Sequence, residues 1–253
     1  ASGKTTTAKK LALELHVRGK RVNRLSLDNF YKSSDELPRW EDGYQNYESV
    51  EGLDLECFER VMQTLFRDGR AQFPIFDFTA GRRAEKTFEL TFDNHTYLII
   101  EGIHALNPVL APAFHGHRTV KTYISVHSDF VNDQGDLLMS ARDLRLTRRL
   151  LRDYYYRGTA AEETLKMWDY VLRGEDLYIR PYRIYADRHV NSVHNYEPFL
   201  YRDALCRLLE HPDSDSPYHE TIERLRACAA FFFPIDQSLI PPASLIQEFI
   251  KQN

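Results

Sequence analysis

Between residues 4 and 27 the hydrophobic period changes once, and that change restricts the fold more than any other feature of the chain. Ala8, Leu11, Ala12 and Leu15 recur at i, i+3, i+4 and i+7, which predicts an amphipathic helix over 4–18. Gly19 ends it, and RVNRLSL (21–27) reads as a strand. The same alternation continues downstream. DLECFERVMQTLFRDG (54–69) is a second amphipathic helix, and TFELTF (87–92), TYLIIEG (96–102) and VKTYISV (120–126) are strands. The apolar run 98–100 suits a central, buried one. Residues 141–157 and 160–173 are expected as helices, 186–193 as a late strand and 196–232 as helical. Strands alternating with helices imply an α/β fold: a mostly parallel sheet flanked by helices, with binding sites beyond the carboxyl ends of its strands.

The first helix opens directly after Gly3, within the run Ser2-Gly3-Lys4-Thr5-Thr6. Unpaired amides and the helix dipole favour an anion at such a start, and G-K-T is the back half of a phosphate-binding loop, G-x-x-x-x-G-K-[ST]. The strand and first glycine of a full loop would lie before Ala1, so the chain as written is expected to be poorly active alone. Asp28 follows strand 21–27 and Glu101 follows strand 96–100, so both carboxylates are expected at the crevice where Lys4 and Thr5 sit. A lysine and amides for phosphates, a hydroxyl and a carboxylate around Mg²⁺, and a base near an acceptor hydroxyl are the parts phosphoryl transfer needs.

Residues 141–158 carry six arginines against two aspartates. Arg145, Arg148, Arg149 and Arg152 fall within about a quarter-turn of one helix face. Arginine throughout favours bidentate phosphate recognition, which suggests an arginine-bearing lid over a polyphosphate. FPIFDFTAGRR (73–83) supplies aromatic faces that either stack a flat base or belong to the core. WEDGYQNYE (40–48) is an acidic, aromatic loop. The ten histidines show no metal-ligand spacing. A net charge of −4 argues against nucleic-acid and anionic-membrane partners, and no apolar run reaches transmembrane length. Cys57, Cys206 and Cys228 fit neither a disulfide framework nor a zinc site, and free thiols point to the cytoplasm.

SGKTT, LDNFY, FDFTAGRR, LIIEGI, RLTRRLLRDYYYRG and YADRHVNS together resemble the uridine kinase family of P-loop kinases, in the family's order and spacing, from residue 1 to about 195. EDGYQNYE, EGIHALNP, RGTAAEETLKMW and SLIPPASLIQEFI are similar to a bacterial subgroup of uridine-kinase-like nucleoside kinases, members of which often carry an upstream TGS-type domain. The resemblance implies a P-loop kinase domain over 1–195 and a C-terminal helical extension over 196–253, docked on it in preference to forming an interface between copies. It implies ATP with Mg²⁺ and a nucleoside 5′-hydroxyl as acceptor.

Carried over by position, Asp28 becomes the base and Lys4 the contact to the β- and γ-phosphates, with Ser2, Gly3 and Thr6 completing the ATP loop. Thr5 and Glu101 hold the metal. Tyr31 and Glu48 line the sugar site, and Phe76 and Phe78 the base site. Arg149 reaches the acceptor side, while Arg152 and Arg157 neutralise the transferring phosphate. Phe76 and Gly81 stand where the family usually has tyrosine and histidine, Thr159 where it has a second arginine, and Met167 where glutamine is common. Groups that read a pyrimidine edge are thus lost, which implies a base preference broader than, or different from, uridine and cytidine. A kinase for another small alcohol, such as ribulose phosphate or pantothenate, and a non-catalytic nucleotide-binding module are the alternatives. A GTPase is disfavoured: N-K-x-D is missing and EGIH replaces D-x-x-G.

Overall fold

A computed structural model of the chain describes residues 1–210 and 215–250. In chain order the elements are α1 (Lys4–Val17), β1 (Arg21–Ser26), α2 (Leu55–Asp68), β2 (Arg70–Asp77), β3 (Arg82–Thr91), β4 (Thr96–Glu101), β5 (Thr122–Ser125), β6 (Phe130–Val131), β7 (Leu137–Met139), α3 (Ala141–Arg157), α4 (Ala161–Tyr178), β8 (Arg188–Asn191), α5 (Glu197–Leu208) and α6 (His219–Ala230). Of the helical stretch expected over 196–232, residues 211–214 lie outside the described residues. The chain forms two compact units: Lys4–Tyr123 with Tyr170–Arg188, and Ala1–Gly3 with Ile124–Asp169 and His189–Asn253.

In the first unit β1 and β4 pair in parallel, with Leu25 opposite Ile100 and Ser26 opposite Glu101. Their carboxyl ends are therefore level, and the segments leaving the two strands emerge at the same edge. Asp54 caps α2 by accepting from the Cys57 amide, and Gly69 closes it at φ 71°. The face this helix buries, Cys57, Phe58, Met62 and Leu65, packs with Leu25, Leu27, Phe30 and Phe73 into one core. Phe30 and Phe73 are wholly enclosed, so truncating either to alanine costs about 3–5 kcal/mol.

Two expectations change. The stretch 73–83 holds strand that the pattern did not announce: its first half completes β2, which pairs antiparallel with β3, and β3 begins at Arg82, well before residue 87. Pro74 concealed the strand, since proline has no N–H for a ladder; here it lies at a register shift between Pro74 and Phe76. The stripe expected to bury α1 is covered at Ala8, whereas Leu11 stays half exposed. This helix packs on β1 and β4 through the part of its face nearest Ala8.

In the second unit Ser140 caps α3 by accepting from the Asp143 amide, and Gly158 ends it at φ 65°. Leu144 and Leu151 of α3, Leu200 and Tyr201 of α5, and Leu245, Ile246 and Phe249 near the C-terminus share one core. Among the described residues no helix is long and apolar enough to cross a membrane.

Candidate active site

The site in the first unit is assembled at the carboxyl ends of β1 and β4. Ser26 accepts from the Asp28 amide at 3.3 Å and starts a tight turn over Leu27–Phe30. Leu27 and Phe30 anchor that turn in the core, so Asp28 falls between them on the half-buried side. Gly102 follows β4 because nothing larger fits: a Cβ there would come within 2.7 Å of the Leu27 Cβ. Lys4 and Thr5 begin α1, whose first turn carries no acidic residue to oppose an anion. The Thr5 hydroxyl donates to Glu101 Oε1 at 3.1 Å across 96 residues of sequence. A hydroxyl and a carboxylate are hard oxygen donors that suit Mg²⁺. No cluster of three or more His, Cys, Asp or Glu able to hold a metal occurs among the described residues.

A second group of the expected site residues gathers around loop 44–49. Asn46, buried, accepts from the amides of Glu48 and Ser49, both at 3.1 Å, and its Nδ2 reaches the Tyr178 hydroxyl at 3.4 Å. Glu48 lies flat against Gly174 of α4, where an added Cβ would fall inside the Glu48 side chain. Tyr31 is buried and donates to the Tyr47 carbonyl at 2.9 Å. Burial pushes its phenol well above the ordinary value, and the charges of Asp28 and then Glu48 add to the effect. Both carboxylates therefore act on one neutral hydroxyl. Phe76 is buried edge-on to Tyr31, ring centroids 6.0 Å apart, whereas Phe78 is largely exposed. Gly81 adopts φ 64°, and its carbonyl accepts from the Ser34 amide and hydroxyl at 2.8 and 3.0 Å. Arg83 pairs with Asp54 at 3.0 Å and donates to the Phe30 carbonyl at 3.2 Å.

The loop expected to be merely acidic and aromatic is clasped by α4. Tyr44 stacks on Tyr170 at 4.4 Å, and Arg173 covers the Trp40 ring at 4.5 Å while pairing with Glu41 at 2.7 Å. His104, to which the sequence alone assigns no role, follows Glu101 by three residues and is 2% exposed. Burial lowers its pKa to about 4; the Ser49 backbone opposes that shift and the Lys4 ammonium adds to it. The Ser49 interaction falls short of hydrogen-bond geometry, since neither ring nitrogen has a bonded partner.

The second unit holds the arginines. Arg149, Arg152 and Arg157 converge on the buried Asp153 at 3.4, 2.8 and 3.4 Å. Three guanidiniums on one carboxylate leave a surplus of positive charge on that part of α3. The Arg149–Asp153–Arg157 spacing of i, i+4 was the available signal for this cluster. The four-arginine face does not hold together. Arg148 turns inward and is wholly buried, with Nε and Nη2 on the Glu197 carboxylate at 2.7 and 2.6 Å. Arg145 lies over the Trp168 ring. A guanidinium on the packed side of α3 survives only because Glu197 neutralises it. Ser2 and Gly3 belong to this unit, with Gly3 at φ 78°.

Residues 1–197 match the phosphoribulokinase / uridine kinase family profile. The chain belongs to that family. Among curated relatives, a uridine kinase of Macrococcus caseolyticus is 29% identical over 188 residues, covering 74% of this chain and 81% of that one. One from Clostridium botulinum is 26% identical over 187 residues, with the same coverage of both chains. Among solved structures, a putative fructose transport system kinase from a Silicibacter species superposes with a TM-score of 0.53 at 18% identity, covering 75% of this chain and 84% of that one. That likeness establishes the P-loop kinase fold. Family membership makes this kinase a phosphotransferase with an alcohol group as acceptor.

Proposed function

We propose that the kinase transfers the γ-phosphoryl group of ATP to the 5′-hydroxyl of a nucleoside, with a base preference broader than uridine and cytidine. The observation that carries this reading is the Thr5–Glu101 hydrogen bond at the level strand ends from which Asp28 also emerges. Thr5 and Glu101 would hold Mg²⁺, which when bound neutralises phosphate charge. Lys4 and the amides after Ser2 and Gly3 hold the phosphate tail, with Thr6 in the same turn. Asp28 accepts the proton of the acceptor hydroxyl. Tyr31 and Glu48 hold the sugar. Arg152 and Arg157 offset charge on the transferred group, and Arg149 serves the acceptor side.

Two features support a nucleoside over a sugar phosphate. Arg83, which with Arg82 is the basic pair of the 73–83 stretch that a phosphorylated acceptor could use, is already paired with Asp54. The wall at Phe76 and Phe78 is aromatic and offers no side-chain donor or acceptor to a base. A hydrogen-bonding site rejects a wrong base by roughly 10⁴-fold, an apolar one by about 10²-fold or less, so several nucleosides should be used.

The test is ATP turnover against a panel of ribo- and deoxynucleosides, pantothenate and ribulose 5-phosphate, with Asp28→Asn as control. Turnover with more than one nucleoside is expected, falling by about 10²–10⁴-fold in the variant. Activity confined to ribulose 5-phosphate or pantothenate would overturn the reading.

A further inference from the structure

The matched family region ends at residue 197, yet residues well beyond it touch the start of the phosphate loop. Leu245 lies against Gly3 so closely that a Cβ added there would fall inside the Leu245 side chain. Arg148 of α3 donates from Nη1 to the Ala1 carbonyl at 3.3 Å and to Ser192 Oγ at 3.1 Å, and its guanidinium stacks on the Phe249 ring at 5.1 Å. At the far end of α3, the Tyr156 hydroxyl reaches the carbonyls of Gln247 and Ile250. Leu245, Ile246, Phe249 and Ile250 are all buried, so this segment is a fixed body and not a loose tail. A Ser244 cap, accepting from the Ile246 amide, sets its short turn over Leu245–Glu248.

One short segment therefore contacts both Gly3, peptide-bonded to Lys4, and α3, the helix that carries Arg149, Arg152 and Arg157. We propose that residues 240–250 are a brace that sets the phosphate-loop conformation from behind and ties it to the arginine helix. Its residues are positioning residues for the nucleotide, touching neither substrate. Gly3 in the left-handed region is adapted to this: its missing side chain is the space Leu245 occupies. The proposal rests on the ATP reading above and adds to it a determinant outside the matched family region.

The test uses the full chain with Leu245→Ala, Leu245→Met and Tyr156→Phe, each first checked for folding by circular dichroism. Binding of a fluorescent ATP analogue is measured without acceptor, then KM for ATP and for a turned-over nucleoside. Loosening the loop by an ångström should weaken nucleotide binding by between about 10- and 100-fold in Leu245→Ala. Leu245→Met, which keeps the volume, should restore most of it, and the nucleoside KM should stay put. Tyr156→Phe, which removes one oxygen, should weaken ATP binding in a chain that folds normally, and it decides the matter if Leu245→Ala does not fold. ATP binding unchanged both in Tyr156→Phe and in a folded Leu245→Ala overturns the brace, as do ATP and nucleoside KM values that rise in step. A wild-type chain that binds no ATP overturns the nucleotide reading and this proposal together; a wild type that binds, beside variants that bind equally, overturns the brace alone.

Discussion

His104 makes the chain's stability depend on pH in a calculable way. Its imidazole is buried beyond the end of β4 with a pKa of about 4, against 6.5 for an exposed histidine. Between those values the unfolded chain binds a proton that the folded chain refuses, so stability rises with pH across that window and is lost as pH falls. Each pH unit inside the window is worth about 1.4 kcal/mol, and lowering the pH from 7.5 to 5 should remove about 2 kcal/mol through this group. For a chain of this size, with a urea slope of about 2–3 kcal/mol/M, the midpoint should move down by about 0.7–1 M. The assay is urea unfolding of wild type and His104→Leu at both pH values, followed by intrinsic fluorescence. The variant's own stability does not matter; only the difference between the two pH values does. That difference should shrink by about 2 kcal/mol in His104→Leu. An equal pH dependence in both chains would refute the reasoning, because it would mean that His104 is protonated in the fold or exposed to water.

Three further outcomes rest on particular contacts. Glu197→Ala should cost about 3–5 kcal/mol, because it leaves the Arg148 charge buried and unpaired, and the thermal midpoint should drop by about 6–20 °C. Burial alone would raise the Glu197 carboxyl, but hydrogen bonds from His194 and Arg148 and the Arg148 charge hold it below the usual range. Its contribution is therefore present above the ordinary glutamate pKa and lost as pH falls through the lower folded one, which acid unfolding of wild type beside the variant would show. Gly174→Ala should push Glu48 out of position and raise the nucleoside KM by about tenfold with the ATP KM unchanged, since about 1.4 kcal/mol of lost positioning gives that factor. Glu101→Gln should raise the Mg²⁺ concentration for half-maximal turnover by about 10–100-fold, read by titrating the metal at saturating ATP.

The division between features legible in the sequence and features hidden from it runs along a physical line. The strand ends were legible, because each strand stops where its run of strand-forming residues stops, although β1 and β4 are only partly buried and not the fully covered central strand that 98–100 suggested. The next residue then emerges at the binding edge, so Asp28 and Glu101 could be placed from 21–27 and 96–100 alone. The Thr5–Glu101 contact follows from that edge once α1 starts at Lys4. Helix α2 was legible for a related reason: its cap, its apolar face and its terminal glycine all agree. Strand β2 was hidden, because its pairing partner β3, not its own pattern, makes it a strand, and Pro74 reads as a breaker until the register shift is seen. The arginine face misled for a different reason. Helical periodicity says which residues share a side, but not which side is packed. Arg148 and Arg152 are neighbours on α3, yet one answers to Glu197, 49 positions along the chain, and the other to Asp153 beside it. No local rule separates them. The same holds for His104 and for the contact of Leu245 with Gly3: each is defined by a partner distant in sequence, and each bears on the nucleotide loop, His104 through the Lys4 charge and Leu245 by contact. In this kinase Lys4, Thr5, Asp28 and Glu101, proposed to perform chemistry, stand at element ends, where sequence reveals them, while the partners of the α3 arginines and the residues that hold the chemistry in place are set by packing, where it does not.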